Sequence, residues 1–504
     1  MSTSNRPVTT AGIQTRLDEA SGAWRLRRRW KGAGANILPD PSMPPGTDRI
    51  PEVRHIILLM MENHSFDNYL GRLGRGEGLT GHLPVNRTSE GRPIPAHRFS
   101  RTDQDPVSPS QSWRSSHIQY AEGRNDGFAR AVEDMAPDTD PALGMGHWGE
   151  EDLPFYYDLA RTFPLADRWF SSCLGPTFPN RRFLIAATAN GLIDDALASI
   201  IDHPRTGTIF DLLNRYRVSW VNYHHVPPLQ LWRGQAGARG RRVAALTLGS
   251  FLTGVDYRAK GHVRCTANVY PLSVARTVSH LRHIERFFKD AASGRLPAVS
   301  IVDPDFDTCS EENPQDIQMG ESFAADVIDA VMHGPAWEHT VLLWFYDEHG
   351  GYFDHVPPPP AVPPDDVLPH SLAEGKGALK WVARHLLRRS SLPHQDDAHG
   401  AYDRYGFRVP AVLISPRARP DFVTSTVFDH TSVLRMIEEK WNLPSLTRRD
   451  ASATAPWEML DLERPPHFAA PPTMSAPARP GVWRRYQQSG RRGLRHGGPT
   501  NGAA

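Results

Sequence analysis

The sequence predicts an α/β protein built on a mostly parallel sheet. Two observations carry that prediction. Continuous apolar runs recur along the chain at residues 55–61, 218–223, 298–302, 341–346 and 409–414. They lack the polar alternation of a half-exposed strand, as strands covered on both faces do. Helix-like patterns lie between them, among them residues 209–215, 323–332 and 432–441. Alternation of the two periods is the signature of an α/β sandwich. In such sheets ligands sit beyond the carboxyl ends of the strands, so chemistry is sought in the residues that follow each run.

Composition narrows the classes. The 504 residues are 39% apolar and 22% charged, which suits a folded globular chain and neither collagen, wholesale disorder nor a polytopic membrane protein. Lys and Arg number 57 against 56 Asp and Glu, a net charge of +1. A surface built as a whole to bind nucleic acid would be far more basic, so no nucleic-acid partner is expected. Cys173, Cys265 and Cys309 form no CxxC motif, which argues against a disulfide scaffold or a zinc knuckle and fits a reducing compartment.

The ends read differently from the middle. Residues 1–50 are expected to form a partly disordered arm. Its cluster Arg25, Arg27, Arg28 and Arg29 is followed by no apolar segment of the kind a secretory signal needs, so a cytoplasmic location is expected. No apolar run reaches the length of about 18 residues that a membrane-spanning helix requires. Residues 463–504 are rich in Pro, Gly and Arg and are expected to be a disordered tail. Residues 51–462 form the expected catalytic domain, with no internal repeat.

Taken in chain order, three segments of that domain carry chemistry. The first apolar run ends in Glu62-Asn63-His64-Ser65-Phe66-Asp67-Asn68. A carboxylate and an amide there either hold a hard cation or cap a helix. Next comes Gly175-Pro176-Thr177-Phe178-Pro179-Asn180-Arg181, ahead of a helix-like stretch at 184–190. Thr177 is either an N-cap or a nucleophile facing the positive end of the helix dipole, and Asn180 and Arg181 suit an oxyanion such as phosphate. The run 341–346 ends in Asp347-Glu348-His349-Gly350-Gly351-Tyr352-Phe353-Asp354-His355. Three carboxylates and two histidines crowd a turn that the glycines permit, a pattern for metal or acid–base chemistry. His64 and His349 are read as supports of neighbouring ligands, His430 as a cap or floor of the site, and Cys173 as a small buried residue.

Residues 361–404 show no strand pattern and contain a basic amphipathic stretch. Leu379, Val382, Ala383, Leu386 and Leu387 line one face, and Lys376, Lys380, Arg384 and Arg388 recur on another. It is either an ordinary surface helix or a lid that meets anionic lipid at a membrane surface.

The segments HIILLMMENHSFDNYLG, FSSCLGPTFPNRRF, WFYDEHGGYFDHVPPP, YGFRVPAVLISP and FDHTSVLRMIEEKW together resemble the bacterial phosphoesterase family, which includes phosphatidylcholine-hydrolysing phospholipases C and some acid phosphatases. The resemblance covers residues 52 to about 450. It implies a three-layer, alkaline-phosphatase-like α/β/α sandwich with a metal site at the carboxyl ends of the sheet. Carried over by position, Glu62, Asn63, Thr177, Asp347 and Glu348 would ligate the metal, and Thr177 would also be the nucleophile. His117 and His355 would serve the phosphate pocket, with His355 as proton donor to the leaving group. One departure stands out. Many relatives have Glu-His-Pro where this chain has Glu312-Asn313-Pro314, so Asn313 replaces a pocket histidine.

The resulting expectation is a phosphoric ester hydrolase that uses Mg²⁺, Mn²⁺, Ca²⁺ or Zn²⁺. Attack by Thr177 would give a phosphothreonine, with Asn180, Arg181 or His117 on the non-bridging oxygens. A phosphate ester or phospholipid is the expected substrate, with phospholipase C-type diester cleavage leading and acid phosphatase-type monoester cleavage second. A sulfatase is disfavoured because Cys-x-Pro-x-Arg is absent. A non-catalytic phosphate- or lipid-binding protein is disfavoured because the proposed metal-site residues are all present.

Overall fold

A computed structural model describes residues 35–195, 203–225, 265–270, 277–369 and 400–478. Its central sheet has eight strands: β1 (His55–Met61), β2 (Leu165–Ala166), β3 (Trp220–His224), β4 (Leu281–His283), β5 (Val299–Val302), β6 (Thr340–Tyr346), β7 (Ala411–Ile414) and β8 (Val423–Thr424). Their order is β8-β2-β7-β6-β1-β5-β3-β4. Pairing is parallel from β6 through β1, β5 and β3 to β4. β7 runs antiparallel to both β6 and β2, and β8 is parallel to β2.

The five expected strands are all present and the sheet is mostly parallel, as the apolar runs predict. β1 buries Ile56 through Met61, and β6 buries all of its residues, so both faces of the sheet centre are covered. β7 begins at Ala411 rather than Val409, since Pro410 has no N–H to give a ladder. β2 and β8, two residues each, are too short to leave a periodic signal.

The α-helices among the described residues are α1 (Phe66–Leu70), α2 (Trp113–Tyr120), α3 (Phe128–Met135), α4 (Pro154–Thr162), α5 (Thr177–Ala186), α6 (Ile209–Arg215), α7 (Ile284–Ala292), α8 (Ile317–Met332), α9 (His430–Trp441) and α10 (Arg448–Ser452). They pack in groups, α5 with α6 and α9, and α8 with α4 and α7. No helix among the described residues is long and apolar enough to cross a membrane.

Three helices start earlier than the sequence suggests, α9 by only two residues at His430. α8 begins at Ile317, where the Asp316 side chain accepts the N–H of Gln318 at 3.1 Å. α5 begins at Thr177 itself and ends at Ala186, where Ala187 turns left-handed at φ 56°. Pro179 is accommodated in its first turn, where no N–H is required. The helix-like stretch at 184–190 is therefore mostly the end of α5 and its exit.

Residues 35–50 and 463–478 grip the body where the sequence suggests loose segments. Asp40 N–H donates to Asn442 Oδ1 at 2.9 Å, and Lys440 donates to Asp48 Oδ1 at 2.6 Å. The Phe468 ring lies 4.9 Å from Phe163, and the Trp337 indole donates to the Phe468 carbonyl at 2.9 Å. The expected disordered tail is thus fastened over residues 463–478. The basic stretch 376–388 lies outside the described residues.

Candidate metal and phosphate site

The register of β1 on β6 builds the site. Met61 pairs with Tyr346, so Glu62 and Asn63 leave one strand beside Asp347 and Glu348 leaving the next. Asp347 N–H donates to Met61 O at 3.2 Å, and Asn63 N–H donates back to Asp347 Oδ1 at 3.2 Å. Glu348 N–H reaches the same Oδ1 at 2.8 Å. Asn63 sits at φ 69° and Gly350 at φ 66°. A Cβ on Gly350 would lie 1.9 Å from the Asn63 carbonyl oxygen, so the close approach requires glycine.

The donor set looks for a cation. Among the oxygens, Glu62 Oε2, Asn63 Oδ1 and Glu348 Oε1 are buried and have no hydrogen-bond partner. A buried polar atom left this way costs about 1–3 kcal/mol unless another partner is supplied. Burial pushes the Glu62, Asp347 and Glu348 carboxyls above the usual carboxylate range. For Glu62 the charge of Glu312 adds to this, while Arg181 opposes it. The residues present therefore fit a hard divalent ion held by oxygen.

Arg181 lies beneath this cluster, fully buried. Its Nε donates to Asp347 Oδ2 at 3.0 Å, and it stands 3.5 Å from Glu62 Oε1 and 3.7 Å from Asp303 Oδ1. Nη1 also donates to Thr266 Oγ1 at 2.8 Å. The guanidinium is thus spent on carboxylates, where the sequence suggests a phosphate contact. Thr177 lies one turn earlier on α5, at the i−4 position of the same face, half-buried at the helix start. The next N–H, that of Phe178, donates to Asp195 Oδ1 at 2.7 Å.

Asn180 also takes a different job from the expected oxyanion contact. Its Nδ2 donates to the carbonyls of Gly175 at 2.8 Å and Pro176 at 3.1 Å, and its Oδ1 accepts Cys173 N–H at 3.0 Å. It clamps the turn that presents Thr177.

The expected histidines divide. His117 sits on α2 with Nδ1 at 2.7 Å from Trp113 O, and Trp113 in turn packs over Gly175. His355 Nδ1 lies 2.6 Å from Asp67 Oδ2, and Arg408 contacts both Asp67 and Asp354 at 3.1 Å. The ligand atoms of Asp67, Asp354 and His355 lie within 4.8 Å of one another, the spacing of a metal trio. The Arg408 cation already fills that role. His355 is therefore held by an ion pair, and its partners are not the metal-site carboxylates.

His64, His349 and His430 support the site as the sequence suggests. His430 Nε2 lies 2.7 Å from Asp347 O, His349 Nε2 2.7 Å from Gln119 Oε1, and His64 Nε2 3.0 Å from Glu311 O. Burial lowers His64 and His349 to about 3 and His430 to about 4, so all three are neutral. Cys173 is buried, and its burial raises the thiol. Asn313, at the family histidine position, donates to Asp105 O at 3.0 Å and accepts the Tyr352 hydroxyl at 3.2 Å.

Sequence reasoning missed Asp303, Glu311 and Glu312. Asp303 directly follows the apolar run 298–302, the same signal that marks Glu62 and Asp347. Glu312 borders a cavity of about 420 Å³ with Phe306, Asp307, Thr308 and Asn313. Burial and the charge of Asp347 push its carboxyl up to about 7.

In a comparison against known families, residues 53–444 match the Phosphoesterase family. The chain belongs to the phosphoesterase family. As a phosphoesterase it is a hydrolase of phosphoric esters. It is 29% identical over 467 residues to Phospholipase C B of Mycobacterium tuberculosis, covering 86% of this chain and 81% of that protein. It is 28% identical over 432 residues to Non-specific phospholipase C1 of Arabidopsis thaliana, covering 80% of this chain and 69% of the plant protein. With Non-hemolytic phospholipase C of Pseudomonas aeruginosa it shares 27% over 414 residues, 78% of this chain and 54% of that one.

Proposed function

We propose that this phosphoesterase cleaves phosphodiesters in the manner of a phospholipase C, with Thr177 as nucleophile and a divalent cation held by Glu62, Asn63, Thr177, Asp347 and Glu348. The observation that carries the reading is the set of buried, unpartnered atoms on Glu62, Asn63 and Glu348 beside Asp347. When bound, the cation neutralises phosphate charge and lowers the pKa of a hydroxyl it touches.

The chain's own residues do the rest. Asn180 locks the turn before Thr177, and Arg181 fixes Asp347 and Glu62 from below. The positive end of α5 faces the negative charge that gathers at Thr177. Thr177 Oγ1 attacks phosphorus in line: its O–P bond forms, the ester O–P bond breaks, and the alcohol leaves with a proton. Water then cleaves the phosphothreonine, releasing the phosphorylated headgroup and restoring the hydroxyl. The relatives named phospholipase C support the diester over the monoester as substrate.

The test uses protein stripped of metal and given Mg²⁺, Mn²⁺, Ca²⁺ or Zn²⁺ in turn. Metal-dependent release of p-nitrophenol from p-nitrophenyl phosphorylcholine, lost in Thr177→Ala, is the expected result. Turnover of p-nitrophenyl phosphate alone would make the protein a phosphomonoesterase. Full activity in both Thr177→Ala and Glu62→Ala would overturn the mechanism.

A further inference from the structure

One buried carboxylate outside the ligand set ties its parts together. Glu311 is fully buried, and its two oxygens accept three tyrosine hydroxyls: Tyr156 at 2.6 Å, Tyr69 at 2.9 Å and Tyr346 at 2.5 Å. The tyrosines come from α4, α1 and the end of β6. Tyr346 immediately precedes Asp347. α1 opens three residues after Asn63. The Glu311 backbone joins in, since its carbonyl accepts His64 Nε2 at 3.0 Å and Gln104 Nε2 at 2.5 Å. The preceding carbonyl, of Ser310, accepts the N–H of Glu62 at 3.1 Å. The following residue, Glu312, borders the 420 Å³ cavity.

Two further features show that the place is built for this residue. Glu311 holds a left-handed φ of 78°, a conformation that costs a non-glycine residue about 1–2 kcal/mol. Gly320 on α8 leaves room for it, because a Cβ there would fall 2.1 Å from Glu311 Cγ. An apolar side chain there would leave the three hydroxyls without their acceptor.

We propose that Glu311 is a positioning residue: through the three tyrosines and its own backbone it sets Glu62, Asp347 and the Glu312 cavity wall in the mutual arrangement that metal binding requires. The proposal rests on the metal site described under the proposed function. Glu311 lies outside the proposed ligand set, with its oxygens on the three tyrosines. It acts through Tyr346 on Asp347, and through Ser310 and His64 on the Glu62–Asn63 turn.

The test compares Glu311→Leu, Glu311→Gln and Tyr346→Phe with the wild type by calorimetric titration of the metal-stripped chain with Mn²⁺, alongside kcat and KM. Glu311→Leu is expected to weaken Mn²⁺ binding by roughly 10–100-fold, the usual cost of losing a support behind a metal ligand. Its kcat falls, and excess Mn²⁺ restores part of it. Glu311→Gln recovers most of the affinity, because an amide oxygen still accepts two hydroxyls while Tyr156 turns to accept from the amide N–H. If Glu311→Leu fails to fold, Tyr346→Phe carries the test, since it removes one hydroxyl and no packing volume. Mn²⁺ affinity within about twofold of wild type in the folded variants would overturn the proposal. A wild type that binds Mn²⁺ yet hydrolyses no phosphoester would sink the phospholipase reading, and the affinity comparison would still decide the role of Glu311.

Discussion

Thr177 and Arg181 occupy one face of one helix and have opposite requirements. As the proposed nucleophile Thr177 must stay reachable, and it is half-buried at the helix start; Arg181 is sealed among Asp347, Glu62 and Asp303. A serine at 177 keeps the hydroxyl, so Thr177→Ser is expected to retain turnover and a phosphorylated enzyme trapped by acid quench. Thr177→Ala should lose both, with kcat down by roughly 10³-fold or more; a trapped phosphoenzyme in Thr177→Ala would place the nucleophile elsewhere. Arg181→Ala strands buried carboxylates without their cation. The expected cost is about 3–5 kcal/mol of stability in denaturant unfolding, offset in part by added divalent metal, which supplies positive charge to the same cluster. Unfolding midpoints equal to wild type would show that Arg181 is not what holds these carboxyls.

At the scale of elements, the proposed site is two strand ends in register, with a helix start beside them. Gly350 is the tightest joint, because it meets the Asn63 carbonyl at a left-handed φ. Gly350→Ala should force the two turns apart, weakening Mn²⁺ binding and lowering the melting temperature together; a loss of one without the other would separate ligand geometry from fold. The strand ends were legible in the sequence, because β1 and β6 are continuous apolar runs followed at once by acids. The roll of α5 was not. Sequence spacing puts Asn180 and Arg181 near Thr177, but only the packed helix shows one turned back to its own loop and the other down into the carboxylates. The partner of His355 was hidden for the same reason, since Asp67 is 288 positions away. Glu311 gave no periodic or motif signal at all; its role comes from three tyrosines on three elements. Residues 35–50 and 463–478 look loose by composition because their apolar partners, among them Phe163, lie in other parts of the chain.

At the scale of the whole molecule, buried carboxyls outnumber buried cations among the described residues, and this sets how stability responds to pH. Glu311 and Glu321 lie outside the ligand set, and burial pushes each up to about 8. Hydrogen bonds from tyrosines to Glu311, and from the Tyr156 and Phe155 N–H groups to Glu321, oppose that shift without cancelling it. A carboxyl raised in the folded state binds its proton more tightly there than in the unfolded chain. Below the ordinary carboxylate range both states are protonated and the group contributes no slope. From there up to about 8 the unfolded chain releases the proton and the folded chain keeps it, so stability falls as pH rises. Each group adds on the order of 1 kcal/mol per pH unit within the window. Metal-stripped protein is therefore expected to melt at a higher temperature near pH 5 than near pH 8. Glu321→Gln, which keeps an acceptor for the N–H groups of Phe155 and Tyr156, should flatten that dependence without altering Mn²⁺ affinity. Adding Mn²⁺ should flatten it further at the alkaline end, because a cation binds the ionised forms of Glu62, Asp347 and Glu348 and so favours the folded state where the carboxyls would otherwise repel. A melting temperature that rises steadily from pH 5 to pH 8 in the stripped protein would mean that these carboxyls are ionised in the fold, and that neighbouring cations or water reach them after all.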